Sequence, residues 1–290
     1  MIVTRFAPSP TGLLHLGHAF AALIAFDTAR NAGGRFLLRM EDIDRGRCRA
    51  EFEEAILEGL SWLGLEWERP VLRQSEQFED YEKALNVLEH KGLLYPCFCT
   101  RKEIASEIER ASAAPHFSPQ GLEGPLYPGT CRGLSKAERE ERIASGAPYA
   151  LRFDIEKASA ICGSLSFKEG GCGPNGETGE QSVQPELLGD VVLARKQMPA
   201  SYHLGDVVDD ARQGVTLVTR GEDLFFATHI QRLLQCLLEL PEPAYAHHKL
   251  ITDGAGKKFS KRDKSVTLRA LREKGLSAND IRTQLGLVSA

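Results

Sequence analysis

Hydrophobic and polar positions near the N-terminus predict a strand, a helix and a second strand in succession. The run from Ile2 to Phe6 is short and largely apolar, as expected of a buried strand. Residues 19–31 carry apolar side chains at helical spacing, and the Gly33-Gly34 pair that follows is a signal for a helix end. Phe36 to Met40 then form a second apolar run. This order predicts the opening of an α/β fold with a Rossmann-like parallel sheet, in which ligands bind at the carboxyl ends of the strands.

The pattern in the rest of the chain predicts further elements of the same fold class. Apolar residues at helical spacing predict helices over residues 50–63, 78–91, 101–113, 136–144, 225–238, 268–274 and 278–285. Shorter apolar runs predict strands over residues 94–98, 190–194, 202–208 and 215–219, of which the last three would resume the parallel sheet. Residues 163–179 are rich in Gly and poor in apolar side chains, which predicts a mobile loop.

Shifts in composition divide the chain into four predicted segments. Residues 1–96 and 190–250 would form the two halves of a Rossmann-like catalytic domain. The more polar, Pro- and Gly-containing residues 97–189 would form a subdomain inserted between them. Residues 251–290 would contain a basic loop and a short helical region.

The composition excludes two broad classes of protein. The chain of 290 residues is 42% hydrophobic, yet no apolar run approaches the roughly 20 residues that a membrane-spanning helix needs. The N-terminus carries no signal-like apolar stretch, so we expect a cytoplasmic protein without a membrane partner. A net charge of -4 argues against a protein that coats nucleic acid indiscriminately. Basic residues concentrate from Lys257 to Lys274, where they could contact an RNA backbone or form a solvated helix face.

The loop from Ala7 to His18, with the sequence APSPTGLLHLGH, has the features of a phosphate-binding site. Its prolines hold the chain extended, and Gly12 and Gly17 allow a ligand to approach the backbone closely. His15 and His18 are three residues apart on the first turn of the predicted helix, where the helix dipole also favours an anion. Taken alone, the two histidines are more typical of a surface pair or a buried contact than of a phosphate site. A metal site at this loop would lack a third ligand.

A second motif near the C-terminus changes how the first is interpreted. Lys258 to Arg262, with the sequence KFSKR, follow a Gly-rich stretch and would alone be typical of a solvated basic loop. Together HLGH and KFSKR resemble the HIGH and KMSKS signatures of class I aminoacyl-tRNA synthetases, although Phe259 and Arg262 depart from the second pattern. In such enzymes an amino-acid carboxylate attacks the α-phosphate of ATP, and positive groups stabilise the charge that develops. The resemblance implies that ATP binds together with Mg²⁺. The residues it implies for binding and activating ATP are His15, Gly17, His18, Lys258, Ser260 and Lys261.

Further motifs resemble the glutamyl-tRNA synthetase branch of this class. They are RMEDIDR at residues 39–45, YHL at 202–204, VVDD at 207–210, GVT at 214–216 and RGED at 220–223. The resemblance implies a glutamate site formed by Arg5, Ala7, Ser9, Glu41, Tyr202 and Arg220. The chemistry agrees, because arginines can neutralise the two carboxylates of glutamate while Glu41 holds its ammonium group. Without the resemblance, Arg220 could be a structural ion-pair member and Tyr202 a core aromatic.

Seven cysteines in a chain expected to be cytoplasmic predict thiols or metal ligands rather than disulfides. Cys97 and Cys99 are separated by one residue, and with Cys131 they favour one structural Zn²⁺. The cysteines supply no fourth ligand, for which the resemblance implies Tyr127. The remaining cysteines are predicted to be ordinary thiols, namely Cys48, Cys162, Cys172 and Cys236.

The position of KFSKR in the chain implies a particular acceptor. Only 28 residues follow Arg262, fewer than the anticodon-binding domain of a full-length glutamyl-tRNA synthetase requires. The chain therefore resembles a truncated branch of the family that activates glutamate without tRNA and attaches it to queuosine at the wobble position of tRNA(Asp). The implied partners of this monomer are ATP, L-glutamate and the anticodon stem-loop of tRNA(Asp), recognised through a splayed base and the stem backbone.

Three other functions share part of this pattern. A minimal conventional glutamyl-tRNA synthetase, which charges the 3′ end of tRNA(Glu), would use every activation residue named above. A catalytically silent RNA-binding paralogue would be expected to have lost its signatures, and intact His15, His18 and Lys261 argue against it. A small-molecule nucleotidyltransferase of related fold would not need the glutamate-binding set.

Overall fold

The structure of the protein is a computed structural model that describes residues 1–112, 120–121, 124–195, 198–251 and 266–287. Within these ranges no helix combines the length and the apolar character needed to cross a membrane.

The described elements alternate between strands and helices along most of the chain. The strands are β1 (Val3–Phe6), β2 (Arg35–Met40), β3 (Glu68–Arg73), β4 (Leu94–Cys97), β5 (Gln120–Gly121), β6 (Gly124–Pro125), β7 (Ala150–Phe153), β8 (Ser166–Glu169), β9 (Gly179–Ser182), β10 (Val192–Arg195), β11 (Leu217–Gly221) and β12 (Ala244–His248). The helices are α1 (Leu16–Asn31), α2 (Ala50–Trp62), α3 (Phe78–His90), α4 (Arg101–Ser112), α5 (Lys136–Ala144), α6 (Ile155–Cys162), α7 (Tyr202–Gln213), α8 (Ala227–Leu237), α9 (Leu268–Glu273) and α10 (Ala278–Gln284).

Parallel strands form the centre of the molecule. β1 pairs with β2 and β2 with β3, all in parallel, while β11 pairs in parallel with β12 and β12 with β8. The two groups meet where the Thr216 N–H donates to the Val3 carbonyl at 3.0 Å, immediately before β11. β2 and β3 lie on one side of β1, and β11 lies on its other side. β1 and β11 therefore flank the crevice in which open α/β sheets bind ligands.

The predicted α/β class with a parallel sheet is confirmed, and most predicted helices are present with small differences at their ends. α1 begins at Leu16, three residues before the predicted start at residue 19. It contacts both β1 and β11, and its buried Leu23 packs in one core with Leu38 of β2 and Ile56 of α2. The C-terminal helices α9 and α10 join this core through Leu268 and Ile281.

The strand predicted at residues 190–194 exists, but its assignment to the parallel sheet is wrong. β10 pairs antiparallel with β7, and β7 pairs antiparallel with β4. An apolar run identifies a buried strand without identifying its partner, and β7 is too short to stand out as a partner in the sequence.

The strand predicted at residues 202–208 is wrong, because these residues begin α7. Leu204, Val207 and three aspartates are buried along this helix, which ends at Gly214 in the left-handed conformation with φ of 66°. The buried aspartates interrupt the apolar pattern, so that the short apolar stretch between them resembles a strand.

The loop predicted over residues 163–179 is interrupted by a strand. β8 lies within it, with Phe167 buried, and pairs antiparallel with β9. Gly171 has a structural rather than a flexible role, because a Cβ atom there would lie 2.1 Å from the His247 carbonyl oxygen. Glycine allows this segment to pack closely against β12.

Candidate active site

A cavity of about 150 Å³ opens at the carboxyl ends of β1, β2 and β11, beside α1 and the start of α7. This is the crevice between β1 and β11 that the sheet order identifies as a ligand position. Five residues of the predicted glutamate set line it together, namely Arg5, Ala7, Glu41, Tyr202 and Arg220. Ser9 lies on the adjoining loop, outside the lining of this cavity.

Arg220 is buried and held on three sides. Its Nη1 donates to the Tyr202 hydroxyl at 2.9 Å, its Nη2 to Thr228 Oγ1 at 2.7 Å and its Nε to His247 Nε2 at 3.0 Å. These contacts leave other N–H groups of the guanidinium unused, so Arg220 can donate to an anion in the cavity while its orientation stays fixed. Thr219 lines the same cavity, and its hydroxyl has no hydrogen-bond partner among the described residues.

Below the cavity lies a buried cluster of arginines and aspartates. Arg39 of β2 donates to Asp206 Oδ1 and Asp210 Oδ1, each at 2.7 Å. Arg5 of β1 donates from Nε to Asp210 Oδ1 at 2.9 Å and lies 3.4 Å from Asp206 Oδ2. Burial alone would raise the pKa of Asp206, but the guanidinium groups of Arg39 and Arg5 lower it to about 2. The ionised Asp206 and the hydrogen bond to Asp210 therefore hold Arg5 at the cavity wall, where any ligand would share the charge of Arg5.

Glu41, immediately after β2, lines the same cavity as Arg220 and contributes a carboxyl group to its wall. Burial and the neighbouring Asp206 carboxylate raise its pKa well above the usual range. A cation that enters the cavity would favour the ionised form of Glu41 and gain a charge-assisted hydrogen bond. The cavity is thus lined by arginines and a hydroxyl on one part of its wall and by a carboxyl group on another.

The two histidines of HLGH lie at the first turn of α1, on the loop that also leads to the cavity. His15 is the N-cap residue, and its Nδ1 accepts the Gly17 N–H at 3.1 Å. His18 Nδ1 accepts the His15 N–H at 3.2 Å, and the two ring centroids are 3.7 Å apart. Because each Nδ1 is an acceptor, the proton of each neutral ring is on Nε2, where it can serve as a donor to an anion.

Lys258, Ser260 and Lys261 lie outside the described residues, but both flanks of their segment are described. His248, at the end of β12, places its ring 5.0 Å from that of Phe20 in α1. On the other side, Thr267 forms a bridge with His15, and the Leu268 N–H donates to the Leu14 carbonyl at 2.8 Å. Both described flanks therefore contact α1 or the residues immediately before it.

Three cysteines and one tyrosine converge at the end of β4. The sulfur atoms of Cys97, Cys99 and Cys131 all lie within 4.8 Å of one another, and no other such group of potential ligands exists in the described ranges. The Tyr127 hydroxyl is 3.3 Å from Cys97 Sγ and 3.6 Å from Cys99 Sγ. The four groups that the sequence predicts as metal ligands are therefore adjacent.

The pKa values of two of these thiols, Cys99 and Cys131, are shifted in opposite directions. Burial raises the pKa of Cys99 to about 12. Burial also opposes ionisation of Cys131, but hydrogen bonds from the Tyr127 hydroxyl and the Phe98 N–H lower its pKa. Buried thiols that are crowded together and differ in this way are suited to one soft cation, which would favour the thiolate form of all three.

Sequence interpretation missed the residues that support the cavity. Asp206, Asp209 and Asp210 are buried on α7, and Glu169 of β8 contacts His247 of β12. The aspartates could have been found from their helical spacing between apolar residues, which is typical of a helix with a buried charged face. Glu169 and His247 are 78 residues apart, and no local pattern connects them.

Comparison with known proteins finds relatives along almost the whole chain. The family described as "tRNA synthetases class I (E and Q), catalytic domain" matches residues 1–288. A Rhodobacter capsulatus protein named glutamyl-Q tRNA(Asp) synthetase is 49% identical, over 99% of this chain and 100% of its own length. A protein of the same name from Nitratidesulfovibrio vulgaris is 41% identical, over 100% of this chain and 86% of its own length.

A solved structure shows the same similarity in three dimensions. The glutamate-tRNA synthetase from Elizabethkingia anophelis superimposes with a TM-score of 0.73 at 28% identity. The match covers 90% of this chain and 53% of that one, so this chain spans about half of the solved structure.

Proposed function

This chain belongs to the class I tRNA synthetases of the glutamate and glutamine group, and we propose that it activates L-glutamate with ATP and transfers it to queuosine in tRNA(Asp). The observation that carries the proposal is the cavity at the ends of β1, β2 and β11, whose lining contains Arg220, Arg5, Tyr202 and Glu41 together. Its charges match those of glutamate, which has two carboxylates and one ammonium group.

Glutamate would bind in this cavity through opposite charges. Arg220 and Tyr202 would donate to one carboxylate, and Arg5 would neutralise the other. Glu41 would accept from the ammonium group, which restores its ionised form. Ala7 and Ser9 would complete the site from the loop after β1. Charge-assisted hydrogen bonds from fixed arginines favour a planar carboxylate over a neutral side chain.

ATP would bind beside the glutamate, at the start of α1. His15 and His18 would donate to the phosphates, Gly17 would allow close approach, and the helix dipole would add positive potential. Lys258, Ser260 and Lys261 would contact the phosphates from the segment that returns to His15. Mg²⁺ enters with ATP and neutralises part of the triphosphate charge.

Cys97, Cys99, Cys131 and Tyr127 would hold one structural Zn²⁺. The convergence of three sulfur atoms and one hydroxyl suits this ion, which takes four ligands and favours thiolates. When bound, it would link the end of β4 to the 127–131 loop. We also propose that this site belongs to an inserted subdomain within residues 97–189, with residues 1–96, 190–250 and 251–290 as the other segments.

The acceptor is the part of the proposal that rests on relatives. The Rhodobacter capsulatus protein, which matches over its full length, is named glutamyl-Q tRNA(Asp) synthetase. The second candidate function is a conventional glutamyl-tRNA synthetase that charges the tRNA 3′ end, which the solved structure from Elizabethkingia anophelis favours by its name.

Two measurements test the proposal. Glutamate-dependent exchange between ATP and pyrophosphate should occur with zinc-replete protein and no RNA, and absence of exchange would reject it. Labelled glutamate should then be located on tRNA(Asp) by nuclease digestion. Label on the anticodon fragment supports transfer to queuosine, whereas label on the 3′ end of tRNA(Glu) supports the conventional enzyme instead. Unmodified tRNA(Asp), which lacks queuosine, is the matched control and should accept no label.

A further inference from the structure

Behind Arg220, on the side away from the cavity, lies a buried chain of hydrogen bonds. Glu169 Oε2 is 2.6 Å from His247 Nδ1, and His247 Nε2 accepts from Arg220 Nε at 3.0 Å. The side chains of Glu169 and His247 are both fully buried. Neither residue belongs to the glutamate set, and neither lines the cavity.

The contact with Arg220 fixes the protonation of His247. A guanidinium can only donate, so Nε2 must carry a lone pair and the imidazole proton must be on Nδ1. That proton is donated to the carboxylate of Glu169. Burial lowers the pKa of His247 despite its hydrogen bond to Glu169, which keeps the ring neutral.

The carboxylate of Glu169 is fixed in turn by the backbone. Its Oε1 accepts the N–H of Gly171 at 2.7 Å and the N–H of His247 at 2.8 Å. The close packing of Gly171 against β12 brings these donors together. Oε1 is therefore committed to two backbone donors, and only Oε2 is directed at the imidazole.

We propose that Glu169 and His247 are positioning residues for the glutamate site, which hold the Arg220 guanidinium in the orientation that receives a substrate carboxylate. This inference rests on the proposed function and deepens it. The Glu169 carboxylate fixes the imidazole tautomer, and the tautomer supplies the acceptor that orients Arg220. Tyr202 and Thr228 accept from the two other nitrogen atoms, so the loss of His247 would leave the guanidinium held at two nitrogen atoms instead of three.

Two substitutions of different kinds test the proposal. His247→Leu keeps an apolar side chain of similar size but removes the acceptor, whereas His247→Gln can place an amide oxygen near the former Nε2. Glu169→Gln changes almost no volume. Its amide oxygen must satisfy the two backbone N–H groups, so its NH₂ group faces Nδ1 and shifts the imidazole proton to Nε2, against Arg220.

The measurement is glutamate-dependent ATP–pyrophosphate exchange. We expect His247→Leu and Glu169→Gln to raise the KM for glutamate about tenfold or more, as loss of a charge-assisted hydrogen bond does, with the KM for ATP changed less than about twofold. His247→Gln should retain most of the affinity for glutamate. Glu180→Gln, on the exposed part of the same β8–β9 hairpin, is the matched control and should leave both KM values unchanged.

A second readout reports the tautomer directly. Nitrogen chemical shifts of His247 should show the proton on Nδ1 in the parent protein and on Nε2 in Glu169→Gln. If the parent protein shows exchange but both disruptive variants fold and keep its KM for glutamate, the proposal is wrong. It is also wrong if the parent protein carries the proton on Nε2. If His247→Leu fails to fold, the isosteric Glu169→Gln gives the answer by the same two readouts. Failure of exchange in the parent protein would instead reject the proposed function.

Discussion

Asp209 shows how burial changes the chemistry of a single residue in this protein. It lies on α7, fully buried, and its Oδ2 accepts from Tyr81 Oη and Gln74 Nε2, both at 2.8 Å. Its Oδ1 has no hydrogen-bond partner among the described residues. Burial raises the pKa of Asp209 to about 6, although Arg39 acts in the opposite direction. Asp209 therefore differs from Asp206, one turn earlier, whose pKa falls to about 2.

The raised pKa predicts how Asp209 affects stability as the pH changes. The folded protein binds a proton at Asp209 near pH 6, while the unfolded chain binds it near the ordinary value of 3.8. The contribution of Asp209 to the free energy of unfolding therefore rises as the pH falls from 7 towards 4. Asp209→Asn, which resembles the protonated form, should remove this contribution.

Chemical unfolding at several pH values measures the effect. Asp209→Asn should be more stable relative to the parent protein at pH 7 than at pH 4.5, by about 2 kcal/mol for a shift of this size. Glu54→Gln, at an exposed position of α2, should show no such trend and serves as the control. A difference between Asp209→Asn and the parent protein that is independent of pH would contradict the prediction.

At the residue scale, sequence interpretation identified cavity-lining groups better than the groups that support them. Arg5, Glu41, Tyr202 and Arg220 meet in one cavity as a resemblance between motifs predicted they would. The groups behind them include Glu169 and His247, which a contact between segments 78 residues apart brings together. Such contacts have no signature in local spacing, because burial and partner identity arise only when the sheet forms.

At the scale of elements, α7 illustrates why hydrophobic periodicity can mislead. Its buried face includes Asp209 and two aspartates, Asp206 and Asp210, that accept hydrogen bonds from the arginines of β1 and β2. A pattern that counts only apolar residues sees Val207 and Val208 and favours a strand. The glycine-rich composition of residues 163–179 likewise conceals β8; Gly171 is closely packed against β12, whereas Gly163 and Gly176 have open space around them. α1 was predicted well because its core-facing positions are aliphatic or alanine.

The cysteine cluster should stabilise the elements around it when it binds a metal. Cys97 ends β4, and Arg132, next to Cys131, lies 3.0 Å from the buried Asp190 carboxylate. Tyr95 of β4 donates to the same carboxylate at 2.5 Å. A cation at the cluster would therefore reinforce a connection between β4 and the segment before β10.

We expect protein produced with added zinc to contain about one metal ion per chain, and a chelator to lower its midpoint of thermal unfolding by about 5 °C. Cys131→Ser should lose both the metal and the response to the chelator. Cys236→Ser, which replaces a cysteine of α8 outside the cluster, should keep both. Metal analysis and calorimetry measure these effects, and a parent protein that is free of metal and insensitive to the chelator would refute the prediction.

At the scale of the whole molecule, the two ends of the chain meet at the start of α1. β1 leads into the loop before α1, and the C-terminal helices return to this point through Thr267 and Leu268. Arg282 of α10 forms two hydrogen bonds with Asp27 of α1, at 2.7 and 3.0 Å, which hold the returning helices in place. The sequence predicted this meeting only through the resemblance of two motifs, because their separation in the chain gives no local signal.

This arrangement predicts the effect of removing the charge of Lys261. Its segment is bounded by residues 251 and 266, and beyond it Thr267 contacts His15, so Lys261 is proposed to stabilise negative charge on the departing pyrophosphate. Loss of one such electrostatic contact typically slows the chemical step by about 10²-fold or more. Lys261→Ala should therefore reduce the rate of ATP–pyrophosphate exchange to that extent, while the midpoint of thermal unfolding stays unchanged. Lys264→Ala, which removes the same charge three residues later, should have a much smaller effect on exchange. An exchange rate for Lys261→Ala equal to that of the parent protein would remove Lys261 from the proposed site, because a group that stabilises the transition state cannot be lost without a change in rate.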